Sequence, residues 1–464
     1  MESNSSKVKV RLGLSLYGGK VFVLLLISSM VLVSLAVAVG FIDAASWRFS
    51  GGVGMVAYFL LILSIYFREQ KLFWIMLPFS MFHFLAIVSS YYLEGGAYIS
   101  EQEAYSYPTG GTIRLVGYMY VVFFVAYMVY VSLARLSRFS SDGRKQSGIY
   151  EVLLFAVVWL FILVLLAALL VFGSPLLAGI QRFEYWAEHP YPVVHSLLQY
   201  GFQFSFLLGV VQIYRPRKKS GVLLAVFTFC VLNGLYGEKF TGIFLVVLYY
   251  ICGMYIASLV NMKGRFKVGF YQILVFGVIV ALLFGLIYFH YSSIHAVQGG
   301  VVDSIVSRVF SLQGHTWWGI DSIMISGKEP VGMAPLVGSD GEINGVYYLM
   351  EQIAPEGIFK SYLARGITFT MGFPAILIYS VGYGTALFLC GVAGFLIACV
   401  AYLLTCVIAQ YNLIGIFAGV KSLLVLTHAL NMGVVNLLFD GKFIFYFMIL
   451  MFSFYVSKKG VRFA

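Results

Sequence analysis

Long apolar runs, each about the length needed to cross a lipid bilayer, recur from one end of the chain to the other. A helix needs about twenty apolar residues to cross a hydrocarbon layer about 30 Å thick, because each residue adds about 1.5 Å of rise. The runs lie at about 21–42, 51–67, 72–91, 115–134, 150–173, 194–213, 221–236, 240–260, 268–290, 374–407, 413–437 and 442–457. The sequence therefore predicts an all-α polytopic membrane protein with about 12 transmembrane helices.

The composition agrees with this pattern. Hydrophobic residues make up 61% of the 464 residues and charged residues 11%, and the mean hydropathy is +0.93. A soluble globular chain is far less apolar. No internal repeat and no Pro-rich or Gly/Ser-rich linker is evident. We therefore predict a single integral membrane domain over residues 1–464.

The cysteines give no sign of a metal site or of a disulfide framework. All five lie within apolar runs, and none has the spacing of metal ligands: Cys230, Cys252, Cys390, Cys399 and Cys406. Small apolar packing is the ordinary role of such residues. We expect neither a metal nor a cofactor.

The basic residues indicate how the chain is oriented in the membrane. Lys and Arg are retained on the cytoplasmic side of short loops. With a cytoplasmic N-terminus, twelve spans also return the C-terminus to the cytoplasm, and most of the 30 basic residues then lie inside. Nine lie outside: Arg48, Arg114, Arg182, Lys239, Arg308, Lys328, Lys360, Arg365 and Lys442. The net charge of +11 thus reflects topology and anionic lipid, and not nucleic acid.

One outer loop, residues 291–373, is much longer than the others. A loop of this length in a compact protein is usually functional or contains short helices of its own. The stretch "INGVYYLMEQIAPEGIFKSYLARG" has apolar residues at helical spacing on both sides of Pro355. We therefore expect short amphipathic helices in this loop, lying at the outer membrane interface.

A basic and aromatic segment, "AGIQRFEYW", follows the fifth apolar run. It contains Arg182, Glu184, Tyr185 and Trp186. Tyr and Trp commonly form an interfacial belt, in which Arg extends towards lipid headgroups. The alternative is a site for glycan and phosphate, because aromatic faces suit sugar rings and a guanidinium binds phosphate oxygens in a bidentate manner.

The large loop opens with a second group of polar and aromatic residues, "DSIVSRVFSLQGHTWWGIDS". If this stretch is helical, Arg308 and His315 lie near one face, as do Gln313 and Trp317. A His on the outer face could take a proton from a sugar hydroxyl, although a single His more often has a structural role.

The stretch "NGLYGEKFTG" places two charges between two apolar runs. Glu238 and Lys239 would form the outer tip of a helical hairpin, with Gly237 in the turn. A solvated surface turn is one interpretation. The other is a pair that faces a cavity, because charged residues below the membrane surface tend to pair or to line one.

These features together resemble the Wzy-type polymerases of bacteria, which polymerise O-antigen and related oligosaccharide repeat units. The resemblance rests on twelve spans, "AGIQRFEYW" after the fifth, "GEKFTG" at the hairpin tip and a long loop after the ninth. It implies a GT-C-like fold in the bacterial inner membrane and a site that faces the periplasm. It also implies metal-independent glycan transfer from undecaprenyl pyrophosphate to a lipid-linked repeat unit, and a partner copolymerase that regulates chain length.

The implied chemistry needs cations at the departing pyrophosphate and a base at the acceptor hydroxyl. We expect the pyrophosphate to be held by four basic residues, Arg182, Lys239, Arg308 and Arg365. His315 is the expected base, and its possible replacements are Asp303, Glu184, Asp321 and Glu238. Tyr185 and Trp317 are expected to contact the substrate.

Two other activities fit parts of the same pattern. An O-antigen ligase, which transfers the glycan to lipid A core, resembles a polymerase in topology and in its use of outer His and Arg. A flippase or another transporter would carry charges near the membrane midplane and show repeated halves. The polar residues of this chain instead gather on one side, which favours the polymerase.

Overall fold

The computed structural model describes residues 21–36, 46–136, 148–180, 182–261, 310–337 and 343–459, and the single positions 277 and 285. Helices account for nearly all of its secondary structure. In chain order they are α1 (Val21–Ala36), α2 (Trp47–Arg68), α3 (Gln70–Leu93), α4 (Gly111–Leu136), α5 (Gly148–Phe172), α6 (Pro175–Ala178), α7 (Arg182–Glu188), α8 (Pro192–Tyr214), α9 (Lys219–Leu235), α10 (Lys239–Asn261), α11 (His315–Ile325), α12 (Ala334–Val337), α13 (Gly345–Ile353), α14 (Glu356–Ala364), α15 (Ala375–Ala409), α16 (Leu413–Met432) and α17 (Gly441–Lys459). Two short strands, β1 (Tyr98–Ile99) and β2 (Ala104–Tyr105), pair antiparallel between α3 and α4.

Most of the long helices can span a membrane. Within the described residues, nine segments are long and apolar enough to cross, and they correspond to α2, α3, α4, α5, α8, α9, α10, α15 and α16. Two further apolar runs contain the shorter helices α1 and α17. The predicted span 268–290 lies outside the described residues. The chain is thus an all-α polytopic membrane protein.

The long connections meet at one end of the helix bundle. Ser89, near the end of α3, donates a hydrogen bond to the carbonyl of Ser311 at 2.8 Å. The Gly372 N–H, just before α15, donates at 2.6 Å to the carbonyl of Asn431, near the end of α16. We call this end the loop face, and its described segments are 94–110, 173–180, 182–191, 236–238, 310–337, 343–374 and 433–440.

At the opposite end, which we call the turn face, the described connections are short, and one carboxylate is buried among the described residues. Glu151, in the first turn of α5, accepts a hydrogen bond from Arg215 Nε at 2.6 Å and lies 3.1 Å from Lys218 Nζ. The Tyr411 hydroxyl, in the turn after α15, donates to the same carboxylate at 3.2 Å. Glu151 therefore ties together three elements that end on this face.

Glycines let the central helices approach closely. A Cβ atom on Gly209 of α8 would overlap the backbone of Tyr250 in α10, and one on Gly253 would overlap the backbone of Phe206. Gly394 of α15 meets the backbone of α4 in the same way. Membrane helices gain packing contacts through small residues of this kind.

The helix α15 is broken near its beginning. Gly382 has φ 77° and ψ 170°, so the α-helical hydrogen bonds are interrupted there. The carbonyls of Tyr379 and Ser380 instead accept the backbone N–H groups of Val331 and Gly332, at 3.1 Å and 2.9 Å. The overlong tenth apolar run thus consists of a short piece at the loop face and a longer helix behind it.

Short helices also occur within the large loop. The helices α13 and α14 lie on either side of Pro355, where the sequence predicts amphipathic helices. The helix α11 begins only at His315, and Gln313 lies in the preceding turn. The condition under which Gln313 and Trp317 would share one helix face is therefore not met.

One basic residue lies at a different depth from the one assigned to it by the charge pattern. Lys421 is not one of the nine outer basic residues, so the charge pattern assigns it to the cytoplasmic side, but it lies near the middle of α16. The predicted apolar run 413–437 already contains Lys421, so hydropathy indicates its depth and the count of charges alone does not.

Candidate functional site

The candidate site begins at the tip of the hairpin formed by α9 and α10. Gly237 has a left-handed backbone with φ +72°, which residues with a side chain rarely adopt. The Glu238 N–H donates to the Asn233 carbonyl at 2.9 Å and closes the turn. A Cβ atom on Gly242 would lie 2.5 Å from Asn233 Oδ1, so this glycine permits the close approach of α9 and α10. The turn therefore fixes the position of Glu238.

Two other segments of the chain converge on the carboxylate of Glu238. Arg182, the first residue of α7, places Nη1 2.5 Å from Oε2. His195, in the first turn of α8, places Nε2 3.7 Å from Oε1. Burial raises the pKa of Glu238, but His195 and Arg182 lower it by more, so its pKa lies below the ordinary value. We call Arg182, Glu238 and His195, with the rings of Trp186 and Tyr236, the Arg182 cluster.

Aromatic rings form one side of this cluster. Trp186 stacks on His195 with 4.6 Å between ring centroids, and on Tyr236 with 5.3 Å. Tyr185 packs edge-on against Trp186 and is buried, which raises the pKa of its hydroxyl. The buried Trp186 Nε1 has no hydrogen-bond partner among the described residues. A guanidinium beside flat aromatic faces is suited to a ligand that carries both phosphate and sugar.

His315 belongs to a second cluster on the loop face. Its side chain is 0% exposed, and Nδ1 lies 2.8 Å from the carbonyl of Leu312. Nε2 lies 2.9 Å from Glu101 Oε2, a close contact without hydrogen-bond alignment. The ring also packs edge-on against Phe369. Protein atoms therefore surround both ring nitrogens, and an incoming hydroxyl has no access to them in this arrangement.

Asp321 fastens the helix α11 to two transmembrane helices. Arg114 of α4 donates from Nε to Oδ1 at 2.9 Å and from Nη2 to Oδ2 at 2.7 Å. Tyr383 of α15 donates its hydroxyl to Oδ1 at 3.1 Å. Trp317 is also buried, and its Nε1 donates to the carbonyl of Gly111 at 2.9 Å. These contacts are those of a structural junction, because both carboxylate oxygens of Asp321 and the indole N–H of Trp317 already have protein partners.

Glu94 organises the segment that lies beside Asp321. Its carboxylate accepts backbone N–H groups from Thr109, Gly110 and Thr112, at 3.3 Å, 3.0 Å and 2.8 Å. Burial raises the pKa of Glu94 in spite of these three hydrogen bonds. Glu94 therefore shapes the start of α4, where Arg114 is presented to Asp321.

The structure brings together only some of the residues expected at the site. Arg182 and Glu238 belong to the Arg182 cluster, and Tyr185 packs against its Trp186 ring, whereas His315 and Trp317 belong to the second cluster. Lys239 is the first residue of α10, directly after Glu238, and only its backbone is described. Arg365 directly follows α14 and is exposed, as is Glu184 on α7. Arg308 and Asp303 lie outside the described residues.

His195 and Tyr236 are the members of the cluster that the sequence did not single out. His195 lies at the start of the apolar run 194–213 and Tyr236 at the end of the run 221–236, so neither stands out in the sequence. Glu238 lies 56 residues beyond Arg182 along the chain, so the contact between them is a tertiary one. The sequence does indicate that Arg182 and Glu238 can meet, because both lie at the predicted outer ends of apolar runs, the fifth and the seventh.

No group of three or more His, Cys, Asp or Glu side chains suited to a metal ion occurs in the parts of the chain that the structure describes. The Arg182 cluster has one carboxylate and one imidazole beside a guanidinium. This combination favours an anionic ligand over a cation.

Comparison with known proteins gives a limited result. Residues 339–447 match the model of a family of unknown function, DUF6418. This range includes α13, α14, α15 and α16 and does not include the Arg182 cluster. Searches of the curated proteins and of the solved structures found no match.

Proposed function

We propose that this protein is a Wzy-type glycan polymerase of the bacterial inner membrane. In this proposal it has about 12 spans in a GT-C-like arrangement, both termini are cytoplasmic, and the loop face lies in the periplasm. The observation that carries the proposal is the Arg182 cluster, in which a guanidinium, a carboxylate and an imidazole meet beside stacked aromatic rings. It lies where the spans end, so a lipid-linked substrate could reach it from the bilayer.

Each member of the cluster has a role in the proposed transfer. The bond between the donor anomeric carbon and the pyrophosphate oxygen breaks, and the acceptor hydroxyl oxygen bonds to that carbon. Arg182 stabilises the negative charge on the departing undecaprenyl pyrophosphate. His195, oriented by Glu238, takes the proton of the acceptor hydroxyl. Trp186 supports the sugar rings, and the buried Tyr185 packs against Trp186 and holds it in place.

Other residues retain roles in this proposal. Lys239, Arg308 and Arg365 are further candidates for binding the pyrophosphate. We assign the base to His195 in preference to His315, because the His195 side chain is 38% exposed and that of His315 is fully buried. His315, Trp317 and Asp321 hold the loop face in shape. A chain-length-regulating copolymerase is the expected protein partner.

A direct assay tests the proposal. The purified full-length protein is incubated with a lipid-linked repeat unit, and the products are separated by size on a gel. We expect a ladder of longer glycans that persists in EDTA. Absence of a ladder would refute the polymerase. Transfer to added lipid A core would identify a ligase, and a requirement for divalent metal would contradict the metal-independent mechanism.

Transport of a lipid-linked glycan is the second candidate function. Two observations favour it, namely Lys421 within a span and the break in α15 at Gly382, because transporters commonly contain both kinds of feature. Reconstituted vesicles separate the two functions. Movement of the lipid-linked substrate between leaflets without glycan extension would establish transport.

A further inference from the structure

Lys421 is a cation inside a membrane span. It lies on α16 about 12 Å along the helix axis from Leu413 and about 16 Å from Met432, at 1.5 Å per residue. Its side chain is half-buried. Ionisable residues at such a depth are rare in membrane helices and commonly mark a functional site. The groups around Lys421 therefore indicate what it binds.

A pair of hydrogen-bonded tyrosines adjoins this lysine. Lys421 Nζ lies 4.4 Å from the centroid of the Tyr200 ring on α8. The Tyr200 hydroxyl lies 3.3 Å from the hydroxyl of Tyr446 on α17. Two hydroxyl groups that share one hydrogen bond leave one O–H free to donate elsewhere. The junction of α8, α16 and α17 thus offers an ammonium group and a hydroxyl donor.

The charge at this junction is positive. Among the described residues, no carboxylate forms an ion pair with Lys421, and the charged groups that act on it and on its neighbour His428 are basic. Lys442, at the start of α17, is one of them. Asp440 lies at the same end of α17, but its Oδ1 accepts the Lys442 backbone N–H at 3.2 Å and so caps the helix. The cation–π contact with Tyr200 offsets only part of the cost of burying an ammonium group in apolar surroundings. The junction is therefore complementary to an anion.

This anion site lies at the lipid-exposed surface of the bundle. Ile414, Lys421 and His428 recur at seven-residue intervals and so share one face of α16. Ile414 is 53% exposed and His428 is also exposed. On α17, Phe445 and Met448 are large exposed apolar residues. A ligand that enters here would meet apolar side chains along its length and cations at its head.

We propose that the junction of α8, α16 and α17 binds the phosphate group of a lipid that enters from the bilayer, with Lys421 as its counter-ion. Phosphate supplies the negative charge and accepts the free tyrosine O–H, and the acyl or isoprenoid chain lies along the apolar surface of α17. The proposal holds for any phosphate-bearing lipid and does not depend on the glycan transfer proposed above.

The test uses the full-length protein, purified in a neutral detergent, and measures its thermal unfolding midpoint during titration with lipid. We expect phosphatidylglycerol to raise the midpoint and phosphatidylcholine, which has no net charge, to raise it far less. Lys421→Met should raise at least tenfold the phosphatidylglycerol concentration that is needed for the same rise in midpoint. Lys421→Arg should retain most of the response. Lys360→Met, at an exposed lysine on α14, is the matched control and should respond as the wild type does.

The lipid-free midpoint separates a binding role from a structural one. Lys421→Met should leave that midpoint unchanged or raise it, because the substitution removes a cation that lacks a carboxylate partner in the described structure. A normal response of Lys421→Met to phosphatidylglycerol would overturn the proposal. So would a lower lipid-free midpoint with an unchanged lipid response.

Two further arms complete the experiment. Inorganic phosphate should not raise the midpoint at concentrations at which the lipid does, and an equal effect would show that the site takes free phosphate and not a lipid. Tyr446→Phe removes the shared hydroxyl and keeps the ring, so it tests the site even if Lys421→Met does not fold. We expect it to raise about threefold the lipid concentration that is needed for the same rise in midpoint. An unchanged response would contradict the role given to the hydroxyl.

Discussion

Arg182 contacts Glu238 through one end of its guanidinium group, which leaves other N–H donors for a ligand. We expect Arg182→Ala to reduce the rate of glycan extension by about 100-fold or more, as is typical when a donor to a developing anion is lost. The thermal midpoint should change little, because a partly exposed ion pair contributes only about 0–1 kcal/mol. Arg182→Lys should retain part of the activity, and Lys360→Ala should retain all of it. Equal activity in Arg182→Ala and the wild type would exclude Arg182 from the site.

The two histidines can be separated by the kind of defect that their removal causes. His195→Gln should lower the extension rate by about 100-fold or more, the usual contribution of a general base, and leave the thermal midpoint intact. His315→Gln should instead lower the thermal midpoint, because its ring is fully buried against Glu101 and Phe369. Rates and midpoints measured on both variants decide between them. The opposite outcome, with chemistry lost only in His315→Gln, would return the base to His315.

The contribution of Glu238 to the stability of the folded protein depends on pH in a predictable direction. Since its pKa is lower in the folded protein than the ordinary value of about 4.3, its stabilising contribution is fully present above that value. The contribution is lost as the pH falls through the folded-state pKa. Thermal midpoints measured from pH 7 down to pH 3 should show Glu238→Gln less stable than the wild type at neutral pH and equal to it in acid. A constant difference between the two proteins would contradict this linkage.

At the scale of the helices, the hairpin of α9 and α10 depends on two glycines to different degrees. A Cβ atom on Gly242 would lie 2.5 Å from Asn233 Oδ1 and 2.8 Å from Glu238 Cβ, whereas one on Gly234 would meet its nearest neighbour at an ordinary 3.7 Å. Gly242→Ala should therefore displace Glu238, destabilise the protein by about 1–3 kcal/mol and reduce extension. Gly234→Ala is the matched control and should be neutral. Thermal midpoints and extension rates of the two variants test this difference.

The sequence predicts the transmembrane elements well, for a physical reason. A span in lipid must satisfy its own backbone hydrogen bonds and bury about twenty apolar residues, so length and hydropathy alone reveal α3, α4 or α10. Pro355 likewise predicts the boundary between α13 and α14. The break in α15 is different, because it depends on hydrogen bonds from Val331 and Gly332, distant residues with no sequence signature for this contact.

The candidate site likewise has some features that the sequence reveals and others that depend on tertiary contacts. The sequence draws attention to Arg182, Tyr185 and Glu238, because charged and aromatic residues are conspicuous between apolar runs. It does not reveal that His195 joins them, since that depends on how α7 packs against α8 and the tip of the hairpin. His315 shows the converse. Its neighbours in the sequence are typical of a site, and only the fold shows that Glu101 and Phe369 enclose it.

At the scale of the whole molecule, the orientation in the membrane can be tested on intact cells. Glu356 on the loop face and Arg217 on the turn face are both exposed. In a cysteine-free variant, a membrane-impermeant maleimide should label Glu356→Cys in spheroplasts, and should label Arg217→Cys only after lysis. The cysteine-free parent is the control. The reverse pattern would place the loop face in the cytoplasm and exclude a periplasmic site.

The break at Gly382 has a consequence for how α15 crosses a membrane. The 35 residues of α15 would span about 52 Å as one straight helix, far more than a hydrocarbon layer of about 30 Å. The break at Gly382 leaves 27 residues, Tyr383–Ala409, in the longer piece, which is about 40 Å long. A helix of this length crosses such a layer when it is tilted or when its ends extend into the headgroup region.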